Sequence, residues 1–394
     1  MKPATIQASP KMNFEISRYS CDSEDHIDQI ARLKTINWGL DFEVFRSYAK
    51  WNYIDRPHTK PPLIYFVRVG EEVVAMRCAY ETAWQVKNAS TRFYALCSAD
   101  LLILQEYRNK GLYKEFANYV MEDLCKMGVQ YFFSFTATPL NSIISLSIGW
   151  KAIGKINIMK KQFQTNRSKA ISLAKNIAGP RSIKLLKKAG LNLILKRRRK
   201  ENSQRNDAIY HRARTQFPSH ISLENKPRPL EMSRLVDSAL PKDKITLVRD
   251  ESFFHWRYNN PLSKYRFLYW CDHGLKGYLV LQSHLYSIES LGTYNIFELE
   301  ATNSSIKIEL LDAMISIMND GSISVWTNML DQDSYEFLVS KGFKEENSTK
   351  SVNEHTRIML IRPIGKHDEK IEFQGLNLLD ADNWDFKMIL MHDH

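Results

Sequence analysis

The chain has 394 residues, more than one hydrophobic core usually organises, so its length predicts two domains. Its composition, 44% hydrophobic and 25% charged, is that of an ordinary globular protein. Its five cysteines lie far apart without a Cys-x-x-Cys pair, which excludes the usual zinc spacing and a disulfide framework. The formal net charge of +11 favours an anionic partner, which could be a phosphorylated cofactor, a nucleic acid or an acidic membrane surface.

The sequence has no segment that predicts secretion or membrane insertion. The first twenty residues lack the apolar core of a signal peptide. The longest apolar runs, at 189–195 and 101–104, are too short to span a bilayer. We therefore expect a cytoplasmic protein, or one bound peripherally to the inner face of the membrane.

The first half of the chain predicts an alternation of strands and helices. A strand is expected over 12–18, followed by one helix that Ser23 caps and a second helix around 42–51. A hairpin is expected over 62–80, where two apolar runs flank a Gly-Glu-Glu turn. A further strand over 95–104 then leads into a short basic turn.

A helix and a buried strand come after that turn. The helix is predicted by apolar residues that recur at spacings of three and four, namely Leu112, Phe116, Val120, Leu124 and Met127. The nearly continuous apolar run over 129–137 is typical of a covered strand in a parallel position. Together with the strand over 95–104, these elements predict a βαβ unit.

The segment from Lys155 to Lys200 is strongly basic. It contains fifteen Lys or Arg residues and no Asp or Glu, and the polar residues 201–217 follow it as a predicted linker. As a helix, 181–200 would be basic and amphipathic, a composition that binds anionic lipid headgroups. The alternatives are a solvated basic face packed against the domain interface and a nucleic-acid patch. Nucleic acid is disfavoured because no nucleic-acid-binding motif accompanies the charge.

The second half of the chain repeats features of the first. In both 48–76 and 253–281, Trp-x-Tyr is followed by a proline, an aromatic-rich strand, a glycine-containing turn and another apolar strand. The matching residues are Trp51 with Trp256, Tyr53 with Tyr258 and Pro57 with Pro261. We predict a duplicated domain, with a chance match as the alternative.

The second copy continues with an alternation of its own. We expect a strand over 295–301, a helix over 304–320, a strand over 322–328 and a helix over 333–343. A last strand near 354–362 is expected to complete this second domain.

The basic turn after the strand over 95–104 is the sharpest motif in the chain. A glycine-bearing turn between a strand and a helix presents free N–H groups at the positive end of the helix dipole, where they bind phosphate oxygens. The amides belong to Arg108, Asn109, Lys110, Gly111 and Leu112. Two of these residues are basic, which suits a multiply phosphorylated ligand. The turn lacks the P-loop and three-glycine dinucleotide patterns, so ATP and NAD are disfavoured; a solvated surface turn is the alternative.

This stretch resembles the acyl-CoA pyrophosphate loop of the GCN5-related N-acetyltransferase (GNAT) superfamily, whose pattern is Gln/Arg-x-x-Gly-x-Gly/Ala. Arg108 takes the first position and Gly111 the middle glycine, whereas Tyr113 stands where the pattern has a small residue. The order of elements also agrees with the family. The stretch 139–154 resembles the family's segment in which an asparagine, here Asn141, precedes a short helix that ends in Gly-Phe, here Gly-Trp.

The resemblance extends to the second half. A Gly-Phe pair at 342–343 ends the equivalent helix there, but the stretch 298–311 lacks the glycine and the basic residues of the loop. The resemblance therefore implies a mixed α/β fold with two tandem GNAT-like domains, each a mostly antiparallel central sheet flanked by helices. The predicted divisions are an acyl-CoA-binding domain over 1–165, a basic linker over 166–215 and a degenerate domain with a tail over 216–394.

The resemblance also implies how the ligand is held. In such enzymes acetyl-CoA, or another acyl-CoA, lies between two splayed parallel strands, and Asn141 would contact it. A backbone N–H among Leu102, Ile103 and Leu104 would polarise the thioester carbonyl. The family's usual tyrosine acid is missing, so Tyr113 is the candidate replacement.

Two carboxylates are candidate acids facing the acceptor groove. They are Glu81 and Asp100, which lie near the predicted strand ends. An amine must lose a proton before it can attack the thioester, and a positioned carboxylate can accept that proton. No metal is expected.

The chain as a whole resembles tandem-GNAT proteins of bacterial cell-surface and exopolysaccharide gene neighbourhoods. This implies a CoA-dependent N-acyltransferase that moves an acetyl group to an amino group of a sugar or lipid-linked precursor in polysaccharide biosynthesis. One alternative is an aminoacyl-tRNA-dependent transferase of peptidoglycan synthesis, and another is a non-catalytic adaptor at a membrane surface. The sequence does not indicate an oligomeric state.

Overall fold

The computed structural model describes most of the chain, and no helix in that part is both long and apolar enough to cross a bilayer. The described residues are 13–20, 23–57, 62–87, 91–163, 209–241, 243–286, 293–346, 357–365 and 371–390. The predicted membrane-binding segment 181–200 lies outside them.

Helices and strands alternate through both halves. The helices are α1 (Glu24–Trp38), α2 (Phe42–Tyr53), α3 (Leu112–Lys126), α4 (Pro139–Ser147), α5 (Pro229–Ala239), α6 (Glu251–Arg257), α7 (Ser304–Ser316) and α8 (Gln332–Ser340). The strands are β1 (Glu15–Ser20), β2 (Leu63–Val69), β3 (Glu72–Val86), β4 (Phe93–Ile103), β5 (Tyr131–Ala137), β6 (Lys151–Ile156), β7 (Ile158–Phe163), β8 (Ile221–Glu224), β9 (Ile245–Leu247), β10 (Ser263–Cys271), β11 (Leu275–His284), β12 (Thr293–Ala301), β13 (Gly321–Trp326), β14 (Lys344–Glu345), β15 (Arg357–Pro363), β16 (Glu372–Phe373), β17 (Leu376–Asn377) and β18 (Trp384–Asp385). Ser23 caps α1 as predicted, because its side chain accepts from the N–H of His26 at 3.4 Å.

The first sheet has the order β1-β2-β3-β4-β5-β15-β6, and β9 and β18 extend it beside β3. Its neighbours are antiparallel except β4 with β5 and β18 with β9. The predicted hairpin is β2 with β3, and the predicted βαβ unit is β4, α3 and β5. Both predictions are confirmed.

The second sheet has the order β14-β7-β13-β12-β11-β10-β8. Among its described strands, β12 and β13 are the parallel pair and the other neighbours are antiparallel. Both large sheets are therefore mixed and mostly antiparallel, and helices pack on them. This confirms the predicted fold class.

The first sheet takes β9, β15 and β18 from the second half, and the second sheet takes β7 from the first half. β15, from near the C-terminal end, lies between β5 and β6 of the first sheet, and β7, from the first half, lies between β13 and β14 of the second. The prediction that the strand near 354–362 completes the second domain is therefore wrong, because hydrophobic periodicity identifies a strand but not the sheet that it joins. The divisions at 1–165, 166–215 and 216–394 stay a prediction, and each sheet takes strands from both of the outer two.

The predicted linker is also partly wrong. Residues 209–216 are helical, and Ile209 and Ala213 are buried in the core of the second half. The apolar spacing of only two such residues was too short a signal among polar neighbours to predict this turn of helix.

The face of α3 that packs on the first sheet agrees with its predicted apolar pattern. Leu112, Phe116, Val120 and Leu124 are buried, whereas Met127 lies just beyond the helix and is 45% exposed. The opposite face of the first sheet packs against α1, α2 and residues of the second half in one continuous core. The two halves are therefore joined by a shared hydrophobic core and not by a hydrated interface.

Trp51 and Trp256, the residues matched in the sequence repeat, meet in a smaller buried cluster between the halves, with Tyr48 and Leu262. Their rings stack with centroids 4.9 Å apart and planes 8° from parallel. Each indole N–H donates to the backbone carbonyl of the other residue at 2.7 Å. The two bonds are reciprocal, so the duplicated copies are related by an approximate two-fold axis between the rings.

Two arginines repeat this reciprocity. The guanidinium of Arg56, from the first half, lies 4.3 Å from a ring centroid of Trp256. The guanidinium of Arg257, from the second half, lies 5.4 Å from a ring centroid of Trp51. Cation–π attraction of this kind stabilises a desolvated contact and adds to the stacking.

The tyrosines of the repeat bind matching buried carboxylates. The Tyr53 hydroxyl donates to Asp100 on β4 at 2.5 Å, and the Tyr258 hydroxyl donates to Glu298 on β12. A buried cation completes each group, because Lys34 binds Asp100 at 2.7 Å and Arg249 binds Glu298. These equivalent contacts support the duplicated domain that the sequence predicted.

We predict that Trp51→Ala lowers the free energy of unfolding by about 3–5 kcal/mol, because it removes a buried ring and leaves the indole N–H of Trp256 without its partner's ring above it. Urea denaturation followed by far-UV circular dichroism measures the change. Tyr94→Ala is the control, because Tyr94 is 49% exposed and its removal should change stability by less than about 1 kcal/mol. An equal effect of the two changes would contradict the central role of the tryptophan pair.

Candidate functional site: an open gap between parallel strands

β4 and β5 diverge from each other. Their pairs are Leu96 with Phe132 and Cys97 with Phe133, and no described residue beyond these continues the pairing. β5 runs on beside β15 instead, and β4 runs on beside β3. The result is a gap that widens toward the C-terminal ends of the two strands, as the resemblance implied.

The predicted phosphate-binding turn lies at the wide end of the gap. After a 3-10 turn over Gln105–Tyr107, Asn109 has a φ of 61° and Gly111 a φ of 79°. Within the described part of the chain, the N–H groups of residues 109–113 have no backbone acceptor. Alternating left-handed residues of this kind turn successive amides toward one concave surface, which binds anions.

Gly111 leaves that surface open. A Cβ at this position would meet no atom within 4 Å, and α3 begins at the next residue without a side-chain cap at Gly111. The dipole of α3 therefore points at free space in front of the turn. This fits a group with phosphate oxygens, because nothing else in the described residues satisfies these amides.

Arg108 holds the turn in place. Its Nε donates to the carbonyl of Ile103 at 2.8 Å, and a terminal nitrogen donates to the side chain of Asn37 at 2.9 Å. Lys110 is exposed beside the ring of Tyr107, 5.6 Å from its centroid. Both cations therefore lie at the turn, and Arg108 also ties it to α1 and β4.

The three candidate donors on β4 are not equivalent. The N–H of Leu104 already donates to the carbonyl of Val74 at 2.9 Å, so its prediction as a thioester donor is wrong. Leu102 has the same orientation as Leu104, because antiparallel strands alternate bonded and non-bonded pairs. The N–H of Ile103 faces away from β3, as its carbonyl does when it accepts from Arg108. Ile103 is therefore the candidate donor into the gap.

Tyr113 does not lie over the amides of the turn. Its phenol interacts with Arg77 of β3, on the side of α3 that faces the sheet. Burial lowers the pKa of Arg77, and the Tyr113 phenol partly offsets that effect. The departure from the family pattern at this position therefore leaves the turn clear and places a hydroxyl beside the gap.

Asn141 lies on the other side of the gap. It is exposed in the first turn of α4, and the cap of that helix is Thr138, whose side chain accepts from the N–H of Asn141 at 3.4 Å. α4 follows β5 directly, so Asn141 borders the gap at the β5 side. The helix also exposes Leu140 and Ile143 by 68% and 63%, which makes this border apolar.

The two candidate acids lie in different surroundings, and the role of Glu81, which is half-buried, stays a prediction. Asp100 is buried between Lys34 and Tyr53, so its carboxylate is already paired. Glu81 lies opposite Leu96, at the closed end of the gap. Both were expected near strand ends; β3 runs on from Glu81 to Val86, and β4 runs on from Asp100 to Ile103. The sequence could not predict the burial of Asp100, because that burial depends on the packing of α1, which carries Lys34, and of α2, which carries Tyr53.

Sequence reasoning also missed Arg77. Its side chain donates to the hydroxyl of Ser98 at 3.0 Å, and its guanidinium lies 5.1 Å from the ring centroid of Phe132. The sequence signal that could have identified Arg77 is a charged residue between apolar ones in a predicted strand. A buried cation in that pattern indicates a polar function on an otherwise apolar face.

Cys97 lies at the closed end of the gap and is not a nucleophile. Its sulfur is within 3.2 Å of the Thr82 hydroxyl, and burial raises its pKa to about 12. A thiol with so high a pKa remains protonated at neutral pH and is unreactive.

The equivalent gap of the second half is filled by the chain itself. β12 and β13 pair only through residues 293–295 and 322–324, and the turn Met388–Leu390 packs against β12. Lys387 binds Glu300 at 3.2 Å, and the N–H of Met388 lies 3.3 Å from the sulfur of Met329. The tail therefore occupies the space beside β12 that stays open beside β4.

In the described residues of the second half, the helix α7 begins with a side-chain cap, where α3 begins at a glycine. Asn303 caps α7, because its side chain accepts from the N–H of Ile306 at 3.0 Å. Lys307 binds Asp331 at 2.9 Å at the same end of the helix. The start of α7 is thus satisfied by side chains of the chain and offers no free cradle.

The fold is similar to several solved structures. A GCN5-related N-acetyltransferase from Anabaena variabilis aligns over 90% of this chain and 73% of its own, with 10% identity and a TM-score of 0.54. A tandem GNAT protein from the clavulanic acid biosynthesis pathway aligns over 90% of this chain and 99% of its own, with 10% identity and a TM-score of 0.52. N-myristoyltransferase from Saccharomyces cerevisiae, solved with bound myristoyl-CoA, aligns over 92% of this chain and 81% of its own, with 11% identity and a TM-score of 0.54.

No protein-family model matches the sequence, and neither does any curated protein. The structural similarity nevertheless covers both halves of the chain. The chain therefore has the tandem GNAT fold that the motif and the repeat implied.

We predict that Lys387→Met lowers the free energy of unfolding by roughly 3 kcal/mol at pH 7, because it removes one of the two cations that bind the buried carboxylate of Glu300. Burial alone would raise the pKa of Glu300, but Lys387 and Arg249 outweigh it and lower that pKa below its ordinary value of 4.5. The stabilisation is therefore present above pH 4.5 and is lost as the pH falls below it. Urea denaturation at several pH values should show the difference from wild type shrinking in acid; a constant difference would contradict this account.

We also predict that a thiol reagent at pH 8 labels Cys125 but not Cys97 in the folded protein. Cys125 is exposed, whereas Cys97 is buried with a raised pKa. Peptide mass spectrometry measures the labelling, and the urea-unfolded protein is the control in which both react. Labelling of Cys97 at the rate of Cys125 would contradict the assignment.

Proposed function

We propose that the chain is an acyl-CoA-dependent N-acyltransferase whose first half carries the acyl-CoA site. The observation that carries the proposal is the gap between β4 and β5, which ends at a turn of unpaired amides in front of α3. The solved structures that share the fold include one with bound myristoyl-CoA, which favours the same class of ligand here. Acyl-CoA, when bound, supplies a thioester carbonyl that an amine can attack.

The residues of this chain have separate roles in the proposal. The amides of 109–113 and the charge of Lys110 bind phosphate oxygens. The N–H of Ile103 donates to a carbonyl oxygen in the gap and stabilises the negative charge that develops on it. The Tyr113 hydroxyl, beside Arg77, is placed to donate a proton to a leaving group at the gap.

The second half shapes the acceptor side and does not bind acyl-CoA in this proposal. Its gap is filled by the tail, and its helix α7 starts with a side-chain cap. We propose an amino group on a sugar nucleotide or a lipid-linked cell-surface precursor as the acceptor. The exposed apolar residues Leu140 and Ile143 at the border of the gap favour the lipid-linked form.

Gly111→Glu tests the site. The new carboxylate would lie in the space in front of the amides, so it should weaken binding of acetyl-CoA at least about hundredfold through charge repulsion and steric exclusion. Isothermal titration calorimetry with acetyl-CoA measures the affinity.

Gly128→Glu is the matched control. Gly128 has a φ of 74°, and a Cβ there would meet no atom within 4 Å, but this residue lies at the opposite end of α3. Its change carries the same backbone strain and the same charge, and acetyl-CoA affinity should stay that of the wild type. The absence of acetyl-CoA binding to the wild type would overturn the proposal; binding of aminoacyl-tRNA in its place would favour the peptidoglycan alternative.

A further inference from the structure

A cavity of about 140 Å³ lies between α3, the end of α4 and the first sheet. Arg77 from β3 and Arg362 from the exchanged strand β15 both line it, with Ala117, Met121 and Trp150 as apolar walls. A buried water needs about 10–15 Å³ of such space, so the cavity has room for a small polyatomic ion.

Arg77 is buried there without a carboxylate partner. It is 5% exposed, and no acid of the described residues forms an ion pair with it. Its Nε has no hydrogen-bond partner, while a terminal nitrogen donates to Ser98. Three other buried cations, Lys34, Arg249 and Lys387, each have an acid within 3.2 Å, and Arg77 differs from them in this respect.

Arg362 faces the same space from the other side of Phe132. It is the register partner of Phe132 on β5, and its guanidinium fills the place where a Cβ on Gly149 would lie, 1.6 Å from the nearer nitrogen. The glycine of the Gly-Trp pair thus makes room for this cation. Glu122, exposed at the rim, is the acid that lines the cavity.

We propose that this cavity is an anion-binding site that takes a carboxylate or phosphate group between Arg77 and Arg362. A buried guanidinium needs a counter-charge, because removal of its hydration is costly unless it is paired. A guanidinium binds oxyanions through paired N–H donors, and Arg77 still has one donor free.

The anion can come from two sources. One is a free small anion. The other is a carboxylate at the end of the acyl group of an acyl-CoA, a source that rests on the proposed function. Ser98, which binds Arg77, is the residue of β4 just after the last pair with β5, so the cavity lies at the closed end of the gap. An acyl group that runs down the gap from the turn would point toward it.

The free-anion arm uses phosphate and succinate with the full-length protein. Because the turn before α3 can also bind phosphate, the titrations are made in the Gly111→Glu background, to which Arg77→Gln or Arg362→Gln is added. We expect millimolar binding of at least one anion, weakened about tenfold or more by either change, since each removes a charge-assisted hydrogen bond. Arg362→Gln keeps the test valid if Arg77→Gln does not fold.

The acyl-group arm compares glutaryl-CoA with valeryl-CoA, which has the same chain length and no terminal charge. With the wild-type turn, tighter binding of glutaryl-CoA that is lost in Arg77→Gln or Arg362→Gln identifies the carried carboxylate as the ligand. Arg68→Gln removes an arginine from the surface of β2 and is the charge control for both arms; it should change neither result.

The proposal is overturned if neither the free anions nor the glutaryl preference depends on Arg77 or Arg362. The outcome is separate from that of the proposed function. If no acyl-CoA binds but phosphate or succinate binding requires the two arginines, the cavity assignment stands and the acyltransferase proposal fails. If glutaryl-CoA and valeryl-CoA bind equally well, with or without the two arginines, and free anions do not bind, the acyl-CoA site stands and the cavity assignment fails.

Discussion

The structure depends on the contact between Trp51 and Trp256, through which the two copies of a repeated unit recognise each other. Each indole donates to the backbone carbonyl of the other, so neither half can satisfy its own tryptophan. The rings stack almost in parallel and their two hydrogen bonds are reciprocal, so the contact has an approximate two-fold axis. Beside this contact, the first sheet packs against residues of the second half in one continuous core.

The two halves contain similar gaps between parallel strands, of which one is open and the other is filled by the chain. A parallel pair that separates leaves backbone groups and apolar side chains that need another partner. Beside β4 the gap ends at free amides and an uncapped helix, which suits a ligand. Beside β12 the chain supplies the partner itself, through Lys387 and the turn that follows it. The repeated unit therefore contains one gap that is open and one that the tail fills.

The exchange of β7 and β15 ties these features together. β15 pairs with β5 at the side of the open gap and brings Arg362 to the cavity that Arg77 lines. The cavity is therefore built from both ends of the chain. Neither sheet is complete without a strand from the other half, so the site of the first half depends on the folding of the second.

Much of the local structure followed from the sequence alone. Apolar spacing predicted α3, alternation predicted the hairpin of β2 and β3, and the glycine after β4 predicted a turn before α3, because these features depend on neighbours within a few residues. The repeat of Trp-x-Tyr predicted the duplication. Tertiary structure decided what distant residues do: it buried Asp100 against Lys34, sent β15 to the first sheet and turned Tyr113 toward Arg77. Pattern and spacing could not decide these points, since burial, pairing partner and side-chain direction are set by contacts between residues far apart in the chain.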